Sequence, residues 1–140
     1  MATIKYPYID VWGEEPSGKH IKGPMIPIEI IGPEKNLPFL AIIDSGADRS
    51  LFNLEIAKEI GLDLSAGKKR EVIGITGKGE ETVLDVEIRI KDLGVYKIPI
   101  GFIDSKYVPA LLGEEGFFDL NKIKFEKDHD SFEVTPAKKK

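Results

Sequence analysis

The chain has no cysteine, which excludes a disulfide framework, a thiolate nucleophile and any cysteine-ligated metal. Histidine is nearly as scarce. His20 and His129 stand alone, far apart, and cannot build a Cys/His metal site; both read as loop residues. No metal and no cofactor is therefore expected. Positive charge is also short: 20 Lys and Arg face 24 Asp and Glu, a net charge of −4. Nucleic-acid binding calls for a basic face, so no nucleic-acid partner is expected. No apolar run approaches the ~20 residues of a membrane-spanning helix, and no membrane association is expected. The opening Met1 to Tyr8 lacks the apolar core of a secretion signal, which makes the cytoplasm the expected compartment.

What is present suits one soluble domain. The chain has 140 residues, of which 41% are hydrophobic and 31% charged. A chain of this length buries about 68% of its unfolded surface, enough for a real core. Pro7, Gly13, Pro16, Gly18, Gly23 and Pro24 punctuate residues 1–24, read as an N-terminal extension with a short strand around Tyr8–Trp12 and a loop over 13–23. The domain proper is placed at 25–135. Residues 136–140, ending in three lysines, read as a disordered tail.

The most informative stretch runs from Phe39 to Asp48. Leu40 to Ile43 is a short apolar run, which reads as a buried strand. It stops at Asp44, and Ser45, Gly46 and Ala47 follow, small residues that allow a sharp turn and a close approach. A carboxylate is thus set at the end of a buried strand. Two readings stand side by side. Asp44 is either a catalytic group or an ordinary turn residue that caps its own backbone.

The surrounding chain supplies short strands. Met25–Ile31 and Leu37–Ile43 predict a hairpin about Gly32–Asn36, with Pro27 marking an edge or a strand start. Asn53, Leu54–Ile60 and Gly61 make a short helix with an ordinary cap and stop. From Lys69 to Ile90 a long hairpin is predicted, with Gly74, Gly77 and Gly79 at its tip. The same glycines do not fit a Walker loop, because Val72 and Gly79 occupy positions that the pattern reserves for glycine and for serine or threonine. Val95–Ile103 predicts a further strand. Val108–Gly113 is a second apolar run ending in glycine, and Glu114–Leu120 predicts a helical turn with acids at its start. Lys122–Lys127 and Ser131–Thr135 alternate cleanly and predict a terminal hairpin.

This order of features resembles the retropepsin-like family, the single-domain retroviral-type aspartic proteases. A hairpin leads into Asp44-Ser45-Gly46-Ala47, a glycine-tipped hairpin follows, and Ala110-Leu111-Leu112-Gly113 supplies two apolar residues and a glycine. The resemblance covers roughly residues 25–127 and implies an all-β, closed, barrel-like acid protease fold of a single lobe, with one or two short helices. It implies an aspartic endopeptidase acting on an extended peptide or protein substrate. Two carboxylates sharing one proton activate a water in such enzymes. This chain supplies a single Asp-Ser-Gly, so the resemblance further implies a homodimer in which Asp44 meets its symmetry mate.

By the same resemblance Asp44 is the catalytic residue, and Ser45, Gly46 and Ala47 form the active-site turn and dimer brace. Ile73, Gly74, Ile75, Thr76 and Gly77 belong to a flap that covers the substrate. Asp48, Leu51 and Leu111 are candidate subsite walls. One position departs from the family pattern. Glu114 follows Gly113 where an arginine is common, while Asp48-Arg49 follows the turn. A reversed ion pair between Arg49 and Glu114 is expected to replace the usual contact. The alternatives are a catalytically weak or inactive peptidase-fold module for dimerisation or peptide binding, and an unrelated small β-barrel in which Asp44 is a turn cap.

Overall fold

The computed structural model describes residues 2–14, 20–74, 77–104 and 110–137, and strands dominate it. β4 (Met25–Ile31) and β5 (Asn36–Ile43) form the expected hairpin, in register from Met25 opposite Ile42 to Ile31 opposite Asn36. Period-two alternation sets its faces: Ile26, Ile28 and Ile30 are buried, while Pro27 is exposed. Pro27 pairs with β5 alone. The second neighbour of β4, strand β8 (Gly77–Ile90), meets it only at Glu29–Ile31, so the missing N–H of Pro27 costs no bond on that side.

β6 (Ser50–Asn53) runs into α1 (Leu54–Ile60). The Asn53 side chain accepts the Glu55 N–H at 2.9 Å, and Gly61 at φ 82° closes the helix, as expected from the sequence. Ala57 and Ile60 face the core. β7 (Lys68–Gly74) and β8 form the long hairpin, followed by β9 (Gly94–Ile103) and the two-residue β10 (Leu111–Leu112).

The strands lie in the order β4-β5-β10-β6-β9-β8-β7, and β4 also pairs with β8. The ladder therefore returns on itself, which gives the closed, barrel-like, all-β arrangement expected of a single lobe. Closure leaves few open edges and encloses one core. Phe52 and Phe102 meet edge to face there at 6.2 Å, and Phe39 meets Phe52 at 5.4 Å.

A second, three-stranded sheet takes both ends of the chain. β1 (Ile4–Pro7) pairs with β12 (Ser131–Pro136), which pairs with β11 (Asn121–Glu126). Phe132 is buried among Tyr6, Tyr8 and Phe125. Two local expectations are corrected. Residues 13–14 and 20–23, read as loop, belong to β2 (Ile9–Glu14) and β3 (His20–Gly23), which pair antiparallel with each other and so satisfy their backbone groups. The helical turn expected over 114–120 is reduced to a 3-10 turn at Phe118–Leu120, because Gly116 at φ 92° interrupts helical geometry.

Candidate active site

The Asp44 turn is built by backbone hydrogen bonds from both directions. The Asp44 N–H donates to the Leu112 carbonyl at 2.9 Å, and the Ala47 N–H donates to the Asp44 carbonyl at 3.2 Å. The side chain joins in, since Asp44 Oδ1 accepts the Gly46 N–H at 2.9 Å. Asp44 does cap its own turn, which occupies one carboxylate oxygen. It is half-buried, beside the buried Ile43, while Ser45 and Gly46 are exposed. A Cβ at Gly46 would lie 3.2 Å from Asp44 Oδ1, tighter than an ordinary contact.

The strands on either side of this turn, β5 and β6, do not pair with each other. Both pair with β10: Leu111 sits opposite Ile42 in parallel and opposite Leu51 in antiparallel fashion. The two leucines act as a wedge that spreads the strands and leaves the turn standing between them. Beyond the wedge the backbone returns to the turn. The N–H groups of Glu114 and Glu115 donate to the carbonyls of Ala47 and Asp48 at 2.8 and 2.9 Å. The Gly113 N–H donates to Ser50 Oγ at 3.2 Å. Gly113 packs so closely that a Cβ would come within 2.5 Å of the Arg49 carbonyl oxygen and 2.7 Å of that of Ala47. Only glycine fits.

The expected Arg49–Glu114 ion pair does not form. Arg49 Nη1 instead donates to Glu81 Oε1 at 2.7 Å. Glu114 is exposed and meets the turn through its main chain, while the Arg49 side chain reaches the opposite way, over β9 toward β8.

Beside the turn lies a recess of about 380 Å³. Ala47, Asp48, Arg49 and Leu51 line it from the side of the turn. Arg70, Glu71 and Glu81 line it from the base of the β7–β8 hairpin. Arg49 and Glu81, which line it from opposite sides, are ion-paired to each other.

The structure thus brings Asp44, Ser45, Gly46, Ala47, Asp48 and Leu51 into one region. Leu111 belongs to the wedge beneath it and is half-buried. Ile73, Gly74 and Gly77 stand at the far end of the hairpin, with Ile73 opposite Lys78 and Gly74 opposite Gly77. Ile75 and Thr76 lie outside the described residues. Sequence reasoning missed Ser50, Arg70, Glu81 and Gly101. Nothing in a run such as Gly79-Glu80-Glu81-Thr82 tells which glutamate turns inward. Among the described residues no cluster of three or more His, Asp or Glu side chains is disposed to hold a metal, and no helix is long and apolar enough to cross a membrane.

Comparison with known proteins follows the same lines. The profile of the aspartyl protease family matches residues 26–115, which spans the β4–β5 hairpin, the Asp44 turn, the long hairpin and the wedge. Among solved structures, a retropepsin-like aspartic protease from Rickettsia conorii superposes with a TM-score of 0.64 at 17% sequence identity, over 95% of this chain and 98% of that one. At that identity the likeness is one of fold. No curated protein sequence matches the chain. With the family profile covering the whole frame of the Asp44 turn, the chain belongs to the aspartyl protease family and carries its retropepsin-like fold.

Proposed function

We propose that this protein is an aspartic endopeptidase that works as a homodimer, hydrolysing peptide bonds in extended polypeptides. The observation that carries the reading is the Asp44-Ser45-Gly46-Ala47 turn, held from both sides by the Leu112 carbonyl and the Glu114 and Glu115 amides. A carboxylate supported so heavily by main-chain bonds has a fixed position, which general acid–base work on a water requires. One chain offers one such turn. A two-fold partner supplies the second carboxylate, and two carboxylates a few ångströms apart cannot both ionise. One then takes a proton from the attacking water while the other donates to the peptide carbonyl.

Ser45, exposed at the turn, braces it against the partner's turn. Gly46 lets substrate backbone approach. The flap, Ile73 to Gly77, closes over a peptide that pairs as an added strand. Asp48 and Leu51, both at the recess, meet a substrate side chain; Leu111 supports them from beneath. No cofactor takes part in this scheme.

The decisive experiment pairs activity with mass. Wild-type protein is expected to cleave an unstructured protein substrate, to be inhibited by a statine-type transition-state mimic, and to sediment as a dimer. Asp44→Asn preserves the acceptor for the Gly46 N–H and should keep fold and dimer while abolishing cleavage. Full activity in that variant, or a monomer at every concentration that still cleaves, would overturn the proposal. A second reading is favoured by Glu114, which stands where the family commonly has arginine: a peptidase-fold module that binds peptides without cutting them. Peptide binding by a wild-type dimer that never cleaves is its signature.

A further inference from the structure

We infer that Arg49 and Glu81 form a clamp that fixes the root of the flap hairpin to the strand leaving the Asp44 turn, and so positions the flap for substrate. The inference rests on the protease reading of the site.

The geometry is specific. β9 lies between β6 and β8 in the sheet. Two strand spacings of about 4.8 Å therefore separate β6 from β8, too far for short side chains to bridge. Arg49, immediately before β6, and Glu81, on β8, reach over the intervening strand and meet at 2.7 Å. They cross at Gly101, whose neighbours in the ladders are Leu51 on one side and Val83 on the other. A Cβ on Gly101 would run into the Glu81 carboxylate. The absent side chain opens the path for the bridge.

The bridge also sits on the face that matters. Ile98, Ile100 and Phe102 of β9 are buried in the core. Alternation puts Gly101 on the other face, toward the recess. The pair is nonetheless well covered, with side-chain exposures of 16% for Arg49 and 8% for Glu81. A pair so shielded is screened little by salt, and losing one member leaves the other charge buried and unpaired.

Glu81 is directly opposite Arg70 in the β7–β8 ladder, so the clamp grips the hairpin near its base. Glu81 opposite Ile103 is the last pair of the β8–β9 ladder, and from there to Gly74 and Gly77 the hairpin pairs, among the described residues, only with itself. A two-stranded projection pivots about its last fixed point, so the clamp sets the angle at which the flap stands over Asp44. Span, rather than charge alone, is what the clamp needs.

The test combines amide hydrogen exchange with peptide-cleavage kinetics on the full-length protein. Glu81→Asp keeps the charge but is one methylene shorter. Gly101→Ala keeps both partners but displaces the carboxylate. Both are expected to speed exchange about tenfold across Lys69–Gly74 and Gly79–Val83, with β4 and β5 unchanged. KM for a peptide substrate is expected to rise about tenfold with kcat altered less than about threefold. Glu81→Gln keeps length and an acceptor but leaves the Arg49 charge unpaired, and is expected to speed exchange over the same hairpin residues. It also serves if the other variants fail to fold. Unchanged exchange in the hairpin, or equal acceleration throughout both sheets, overturns the clamp, since the second outcome marks a purely structural pair. If the wild type cleaves nothing, the protease reading fails, while the exchange measurements still decide the clamp.

Discussion

The buried hydroxyl of Ser50 accepts a hydrogen bond from the Gly113 N–H, 63 residues further along the chain. This bond ties the strand that leaves the Asp44 turn to the segment that comes off the Leu111–Leu112 wedge. Two substitutions probe it. Ser50→Ala leaves the Gly113 amide buried without its partner and should cost about 1–3 kcal/mol. Gly113→Ala forces a methyl group onto the Arg49 and Ala47 carbonyls, which are backbone and cannot swing away. Its cost should exceed that of Ser50→Ala, at about 3 kcal/mol or more. Urea denaturation of both variants checks the order.

Glu114 provides the opposite expectation. It is exposed and reaches the turn only through its main chain. Glu114→Arg should change stability by no more than about 0.5 kcal/mol, as surface substitutions usually do. Thermal denaturation against wild type measures this, and a large loss would mean that the side chain has a role in holding the turn.

Activity should depend on pH as a bell. Cleavage by a carboxylate pair that shares one proton falls at high pH, when both groups ionise, and at very low pH, when both are protonated. The limbs belong to the pair rather than to either Asp44. A kcat/KM profile with a single sigmoidal rise toward acid would contradict a shared proton.

Acid also acts on stability, through groups away from the site. Asp63 accepts from the Ser65 hydroxyl and backbone N–H, which holds its carboxyl below the ordinary 3.8. Asp130 is lowered by a hydrogen bond from Lys127 and by the nearby charges of Lys127 and Lys22. A depressed folded-state pKa stabilises the native form above the unfolded value, and that contribution disappears as pH falls through the folded pKa. Both contributions should therefore be intact at neutral pH and fade below about 3.8. Ser65→Ala is expected to raise the Asp63 titration midpoint, read by NMR, and to make the protein less sensitive to acid. An unmoved midpoint would show that the Ser65 hydroxyl contributes nothing.

Much of the fold was legible in the chain because its signals are local. Alternation in Met25–Ile31, the Asn53 cap with Gly61, and the turn at Gly32–Asn36 each concern residues within a few positions of one another. The Asp44 turn was legible for the same reason: an apolar run, a carboxylate and small residues stand in sequence. Tertiary structure decided what lay across strands. Arg49 bonds to Glu81 and not to Glu114 because β9 places Gly101, with no side chain, between them. Residues 20–23 became a strand because β2 was there to pair with them. Local propensity is carried by each residue and its neighbours, whereas a partner distant in the chain is set by register, and register exists only once the sheet has closed.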